Sequence, residues 1–253
     1  EEVINMIELI KQNLFSFYRI GIKERSRNDY KMLDYSYAGE RWPTRVWIKN
    51  KEVYDEEELE LFFSDDYFKG KNISWFLENC STGNQIRDFV IKKGYTFLYE
   101  SAGMIKDCQD FIFSPYADLS AEKVITEYKL EIFKEIVSKG LFERNPGEIS
   151  ESIFMNLFKN KNIELYLLSE KNNYIGTGGI FLDSSKSGGI YMICIDKDFR
   201  KRGYGKYITS LCMNRIRDLG YRYCVLNATL LGEPIYKELG FVSPVSFYIL
   251  RKK

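Results

Sequence analysis

The stretch Ile193-Cys194-Ile195-Asp196-Lys197-Asp198-Phe199-Arg200-Lys201-Arg202-Gly203-Tyr204-Gly205-Lys206 sets an apolar strand, a turn and a basic, glycine-containing loop directly before a helix. In that helix, Ile208, Leu211, Cys212, Ile216 and Leu219 fall on one face, so one side packs on a sheet and the loop is pinned at the helix amino end. Unpaired backbone N–H groups and the helix dipole make that end an anion site, and Gly203 and Gly205 allow a phosphate to approach the main chain closely. Lys201, Arg202 and Lys206 add positive charge, so a pyrophosphate is the natural ligand. Other phosphate motifs fit poorly. Ile208 holds the third glycine position of a dinucleotide fingerprint, and Tyr207 stands where a P-loop needs Ser or Thr. A solvated basic turn that merely caps a helix is the alternative, and the coincidence of strand, loop and capped helix argues for the ligand.

Outward from this loop, the second half of the chain reads as a complete mixed unit. Ala121 to Lys139 is a helix ending at Gly140, and Ser150 to Lys159 is another with Ser150 as N-cap. Ile163 to Ser169, Tyr174 to Asp183 and Gly189 to Ile195 are consecutive strands separated by turn signals. A helix from Gly205 to Leu219, a strand Tyr221 to Leu226, a short helix to Leu239 and a last strand Val242 to Leu250 complete it. An antiparallel meander leading into strand, helix, strand is an α+β arrangement.

The first half offers an amphipathic helix from Val3 to Phe17, strands at Tyr30 to Tyr37 and Arg45 to Lys49, and an acid-headed helix from Asp55. A strand Ile73 to Leu77, a helix Asn84 to Lys93 closed by Gly94, and a strand Tyr95 to Glu100 come next. The passage containing Ser114-Pro115 divides the chain into residues 1–106, a linker 107–120, and residues 121–253. A weak repeat supports two related halves: Ile86 to Lys93 with Gly94-Tyr95 echoes Pro234 to Leu239 with Gly240-Phe241, each before an aromatic strand.

Composition narrows the chemistry. The 253 residues include 37 Lys plus Arg, 36 Asp plus Glu and no histidine. Catalysis by Ser-His-Asp or Cys-His is therefore excluded, as is every zinc site needing imidazole, and no metal is called for. A net charge of +1 argues against nucleic acid or an anionic membrane as the main partner. That weighs against a nucleic-acid reading of Arg200-Lys201-Arg202 together with Lys23, Arg25 and Arg27. Cys80, Cys108, Cys194, Cys212 and Cys224 are odd in number and widely spaced, as reduced thiols of a cytoplasmic protein would be. No apolar run approaches the ~20 residues of a membrane span, and the amino terminus is unlike a signal peptide.

Arg200-x-x-Gly203-x-Gly205 after an apolar strand resembles the Gln/Arg-x-x-Gly-x-Gly/Ala signature of the GCN5-related N-acetyltransferases (GNAT), and Pro234-Ile235-Tyr236-Lys237-Glu238-Leu239-Gly240-Phe241 resembles their closing Leu-Tyr-x-x-x-Gly-Phe segment. The resemblance covers roughly Phe111 to Lys253; the first half resembles the degenerate amino-terminal halves of two-domain members through Trp75, Gly94-Tyr95 and Met104. It implies the GNAT fold in tandem: a mostly antiparallel twisted sheet flanked by helices, with a splayed parallel strand pair at the coenzyme A site. It also implies acetyl-CoA as cosubstrate and direct transfer of its acetyl group to a primary amine, on a small molecule or a peptide. Ile193, Cys194 and Ile195 would bind the pantetheine arm, and Arg200, Lys201, Arg202, Gly203, Tyr204, Gly205 and Lys206 the pyrophosphate. Thr229 stands where many relatives have a cofactor-contacting Asn, with Asn227 as a substitute, and Tyr236 would be the general acid.

Transfer to an amine needs a neutral nucleophile, and a lysine-like amine with pKa near 10.4 is only about a thousandth unprotonated at pH 7. Glu164, Asp183 and Tyr191 border the expected acceptor region and are candidate bases, although strand-edge residues of these types usually serve solvation or packing. Cys194 reads as a small buried apolar residue, so no acetyl-enzyme is expected. The runs Asp55 to Glu60 and Ser64-Asp65-Asp66-Tyr67-Phe68 could shape a cationic acceptor's pocket from the first half, or be a solvated helix face and loop. A catalytically silent acyl-CoA sensor on the same fold is the other functional reading. Acceptor identity and oligomeric state are left open.

Overall fold

The computed structural model describes residues 2–20, 23–27, 30–34, 44–48, 54–64, 72–116, 118–141 and 151–252. Its elements run α1 (Glu2–Tyr18), β1 (Lys23–Arg27), β2 (Tyr30–Asp34), β3 (Thr44–Ile48), α2 (Glu56–Ser64), β4 (Ile73–Glu78), α3 (Ser81–Lys92), β5 (Tyr95–Asp107) and β6 (Leu119–Lys123). Then come α4 (Glu127–Gly140), α5 (Glu151–Lys159), β7 (Ile163–Glu170), β8 (Asn173–Leu182), β9 (Ser187–Ile195), α6 (Tyr204–Asp218), β10 (Tyr223–Ala228), α7 (Glu233–Glu238) and β11 (Val242–Lys252). The mixed α/β character read from the sequence is what the structure shows.

Contacts divide the chain into two units, residues 1–21 with 103–244, and residues 22–102 with 245–253. This differs from a linear division at residues 106 and 121. The boundary falls inside β5 and β11, because β5 continues past Glu100 to Asp107 and β11 runs on to Lys252. The opening helix α1 therefore belongs with the basic loop, and the last strand with the first half.

In the larger unit the strand order is β5, β10, β9, β8, β7, β6. The meander is antiparallel from β6 to β9, and β10 joins β9 in parallel. Lys171 and Asn172, both at positive φ, make the two-residue turn between β7 and β8, the geometry that suits right-twisted hairpins. On α6, Ile208, Cys212 and Ile216 are fully buried with Met213, whereas Leu211 and Leu219 differ in cover, so the fully buried stripe is shifted toward Met213. The segment from Ala121 to Lys123 is the end of strand β6 rather than the start of a helix. Helix α4 begins only where Thr126 caps it, its hydroxyl accepting from the Lys129 N–H at 3.3 Å. Ser150, Tyr35 to Tyr37, Lys49 and Asp65 to Phe68 lie outside the described residues.

Two adjacent glycines set the layering. A Cβ on Gly188 would stand 2.5 Å from Ile216 Cγ2 of α6, and one on Gly189 would stand 1.9 Å from Asn13 Oδ1 of α1. Successive strand residues face opposite sides, so this pair admits a helix tightly against each face of β9. From α1, Ile10, Leu14 and Phe17 are buried, and Asn13 donates to the carbonyls of Phe181 and Ser187 at 3.4 and 3.3 Å.

The smaller unit has the strand order β1, β2, β3, β4, β11, β5, with β3 and β4 parallel. Its core gathers Val46, Leu59, Phe62, Trp75, Ile86 and Leu250. Helix α3 starts at Ser81, ahead of Asn84, because the Cys80 sulfur accepts from the Gly83 N–H at 3.4 Å and acts as an N-cap.

Glu164 on β7 is the buried charge of the larger unit. Arg215 of α6 grips it through Nε at 2.8 Å and Nη2 at 2.9 Å, Lys123 reaches it at 3.0 Å, and the Tyr166 hydroxyl donates to it. The Arg215 contact, with Tyr166 and Lys123, outweighs burial and lowers its pKa from 4.5 to about 2. A depressed carboxylate stabilises the fold above its unfolded pKa, and that contribution is lost as pH falls from about 4.5 toward 2. Glu164→Gln should cost up to about 3 kcal/mol at pH 7 and flatten the fall in stability between pH ~5 and ~2, read by denaturant titration. Identical pH profiles would contradict this role for Glu164.

Candidate active site

The pairing of β9 with β10 is short. Tyr223, Cys224 and Val225 pair with Ser187, Gly188 and Gly189, and beyond Val225 the two strands part. A slot therefore opens between Leu226–Ala228 and the distal half of β9. On its other edge β9 carries a bulge: Met192 is left-handed at φ 55°, the register with β8 shifts across Gly178, and the Thr177 hydroxyl donates to the Met192 carbonyl at 2.8 Å.

The bulge sets the phase of the residues beyond it. Cys194 and Ile195 pair with Thr177 and Gly176, and the Asp196 N–H donates to the Ile175 carbonyl at 2.8 Å. Because ladder bonds alternate along an antiparallel strand, the N–H and C=O groups of Ile193 and Ile195 turn away from β8, toward the slot. Ile193 can thus offer main-chain groups to an extended ligand, as in strand addition. The Ile195 carbonyl is taken by Arg200 Nε at 2.9 Å, and Arg200 Nη2 reaches the Gly140 carbonyl at 3.2 Å. Arg200 is therefore a brace that ties the loop to the ends of β9 and α4.

After a 3-10 turn over Lys197–Phe199 capped by Asp196, the chain passes through Lys201 at φ 62° and Gly203 at φ 80° and enters α6. Among the described residues no acceptor meets the N–H groups of residues 201 to 206. Free N–H groups at the amino end of a helix favour an anion. Arg202 bonds the Asp198 carbonyl at 3.3 Å and lies 3.8 Å from Glu170, which also accepts the Tyr204 hydroxyl. Lys201 makes no ion pair among the described residues.

Helix α7 is held beside the loop. A Cβ on Gly205 would meet Ile235 Cδ1 at 3.5 Å and Ile195 Cγ1 at 4.0 Å, and Lys206 pairs with Glu238 at 3.4 Å. The Tyr236 ring folds back over Gly232 and packs edge-on against Phe241, centroids 6.0 Å apart. Burial, with a smaller effect of Cys212, raises the Tyr236 pKa, so the phenol keeps its proton. Its hydroxyl makes no hydrogen bond among the described residues. Thr229 is engaged in the turn before α7, its hydroxyl accepting from the Gly232 N–H at 3.3 Å. Asn227, on the diverging part of β10, presents a buried Oδ1 with no hydrogen bond among the described residues.

The candidate bases fare differently. Glu164 is locked by its cations. The Tyr191 hydroxyl donates to Asn13 Oδ1 at 2.8 Å, and burial raises its pKa well above the ordinary value. Asp183 accepts the Ser185 N–H at 2.8 Å and the Ser185 hydroxyl at 2.5 Å, in the turn between β8 and β9. Glu164 and Tyr191 are thus committed inside the fold, whereas the second carboxylate oxygen of Asp183, Oδ2, is buried with no hydrogen bond among the described residues. The Cys194 thiol points at the Ile136 carbonyl at 3.6 Å, and burial pushes its pKa up to about 11.

The family model of the acetyltransferase (GNAT) domain matches residues 119–246. The chain belongs to the GNAT acetyltransferases. Members of this family are acetyl-CoA-dependent acyltransferases, and the GNAT domain here contains the bulge, slot, loop and α7. No curated protein matches the sequence. Among solved structures, a GCN5-related N-acetyltransferase from Kribbella flavida shares the fold at TM-score 0.73 and 14% identity, over 97% of this chain and 94% of that one. One from Sphaerobacter thermophilus does so at TM-score 0.64 and 13% identity, over 88% and 76%. An N-acetyltransferase-like protein from Streptococcus suis aligns at TM-score 0.54 and 12% identity, over 89% and 84%.

Three features of this GNAT chain had no signal in the sequence: the left-handed Met192, the brace formed by Arg200, and Asn13 reaching β8 and β9. Only a glycine pair at Gly188-Gly189 hinted that something packs closely there. A raised, buried thiol is a poor nucleophile. Mass spectrometry after mixing the protein with acetyl-CoA should leave Cys194 unmodified, and an acetylated Cys194 would overturn that reading.

Proposed function

We propose that this chain binds acetyl-CoA in the slot and along the loop of residues 200 to 206, and transfers the acetyl group directly to a primary amine on a small molecule or peptide. The observation that carries this reading is the row of N–H groups without acceptors, at 201 to 206, where α6 begins beside the open edge of β9. Gly203, Gly205 and the charges of Lys201, Arg202 and Lys206 suit a pyrophosphate, and Ile193 with the orphaned Oδ1 of Asn227 suits the amide groups of a pantetheine arm. Thr229 is engaged in its own turn, which favours Asn227 over Thr229 for that contact. The thioester supplies an activated acyl group.

The protein's part is to orient, to exclude water and to manage protons. Tyr236, holding its proton, would donate to the departing thiolate, a role typically worth about 10²–10⁴ in rate. With Glu164 and Tyr191 otherwise committed, and Asp183 held in the turn before β9, at the opposite end of that strand from the slot, the amine would lose its proton to water. Among the described residues no helix is long and apolar enough to cross a membrane.

Calorimetry with CoA should show binding by the wild type and loss of it in Gly203→Asp, which puts a strained, negative side chain at φ 80° in the anion loop. Equal binding would remove the central claim. Tyr236→Phe should lower kcat about 10²-fold or more while KM for acetyl-CoA stays within about twofold; unchanged turnover would remove the acid role.

A further inference from the structure

We propose that Asn13, on a helix outside the matched GNAT domain, is a positioning residue for the coenzyme strand and acts through Tyr191 on the bulge at Met192. The inference rests on the coenzyme reading above and adds a device to it. Asn13 is fully buried and uses its whole amide: Nδ2 donates to the carbonyls of Phe181 and Ser187, on either side of the turn between β8 and β9, and Oδ1 accepts from the Tyr191 hydroxyl at 2.8 Å. The Tyr191 ring is stacked on Phe17 of the same helix, centroids 3.7 Å apart and planes 6° from parallel. Tyr191 is thus held at both its ring and its tip by α1, and the next residue along β9 is the left-handed Met192.

On the other side of that residue stands Thr177, itself fully buried, donating to the Met192 carbonyl. The bulge is accordingly clamped from two directions, by α1 through Tyr191 and by β8 through Thr177. A non-glycine residue at positive φ is costly and persists only where its surroundings over-determine it. Were it to relax, the register would slip by one residue. The main-chain groups of Ile193 would then turn from the slot to β8, since each residue of slip reverses the direction of every group on the strand. The hydroxyl pair Tyr191 and Thr177 therefore determines which edge of β9 the ligand meets. It also explains why Tyr191, although next to the slot, is unsuited to be a base: its proton is spent on Asn13.

The test uses two substitutions that delete one hydroxyl each and keep shape, Tyr191→Phe and Thr177→Val, in the full chain, with CoA affinity measured by calorimetry well below the melting temperature. Each should weaken CoA binding about tenfold. The double variant should weaken it by less than the product of the two, because both act on one bulge. Amide exchange at residues 192–195 should rise in both variants while that of β7 stays as in the wild type. A purely structural role would lower the melting temperature and leave CoA affinity and exchange at 192–195 unchanged, and that result overturns the proposal. The two readings fail separately. If the wild type binds CoA and Gly203→Asp does not, yet Tyr191→Phe and Thr177→Val bind as the wild type does, only the positioning role falls. If the wild type binds no CoA, the coenzyme reading falls with it.

Discussion

Close approach of two helices to one strand is the constraint on which the larger unit depends. Gly188 and Gly189 leave β9 bare on both faces, so α6 and α1 can press on it from opposite sides. The pinch coincides with the short stretch over which β9 and β10 pair. Held there, the two strands are free to diverge beyond it, and the bulge at Met192 then rotates the distal part of β9 to face the gap. A methyl group at either glycine would meet atoms at 2.5 Å or less, nearer than any real packing contact, and the helix concerned would have to withdraw. The slot is thus a by-product of tight packing next to it.

Polar groups in this unit fall into two sets with opposite uses. Glu164, Asn13, Thr177 and Arg200 spend their hydrogen-bonding capacity inside the protein, each joining separate segments of the chain. The N–H groups of residues 201 to 206 and the Oδ1 of Asn227 do not. Buried polar groups are normally satisfied, and an unsatisfied one costs about 1–3 kcal/mol. Of the second set, the N–H groups line the accessible amino end of α6 and the buried Asn227 Oδ1 lies on the diverging part of β10, both placed where a bound ligand would complete them.

Much of this was legible in the chain. The loop from Arg200 to Lys206, the helix it opens, the meander before it and the closing Gly240-Phe241 are local patterns, in which periodicity and glycine placement carry the signal. The structure has the corresponding helices and strands. What escaped reading was everything set by distant partners. Strand β6 takes Ala121 to Lys123 because β7 pairs with it, although the local pattern suits a helix. The local pattern offers Arg200 as a phosphate ligand and gives no sign of the carbonyls of Ile195 and Gly140 that its guanidinium holds. Asn13 lies 178 residues from Tyr191, and no spacing rule connects them. The thiol cap at Cys80 was missed for a different reason: sulfur is a weak acceptor and does not figure among the usual helix-starting residues.

The echo between the two halves acquires a meaning in the order of synthesis. Helix α3 and α7 each lead through a glycine into a strand, and each strand starts in its own unit and finishes in the other: β5 begins among residues 22–102 and β11 among residues 103–244. The exchange is reciprocal. During synthesis α1 precedes the sheet it covers, which exists only once residues 103 onward have been made. The smaller unit, nearly all of which precedes residue 103, waits longest, because Tyr248 and Leu250 of β11 complete its buried interior and pair with β4. Neither unit can mature as a contiguous piece. The two reach their native state together, late, and through contacts of long sequence separation, which makes slow folding a property of the connectivity itself.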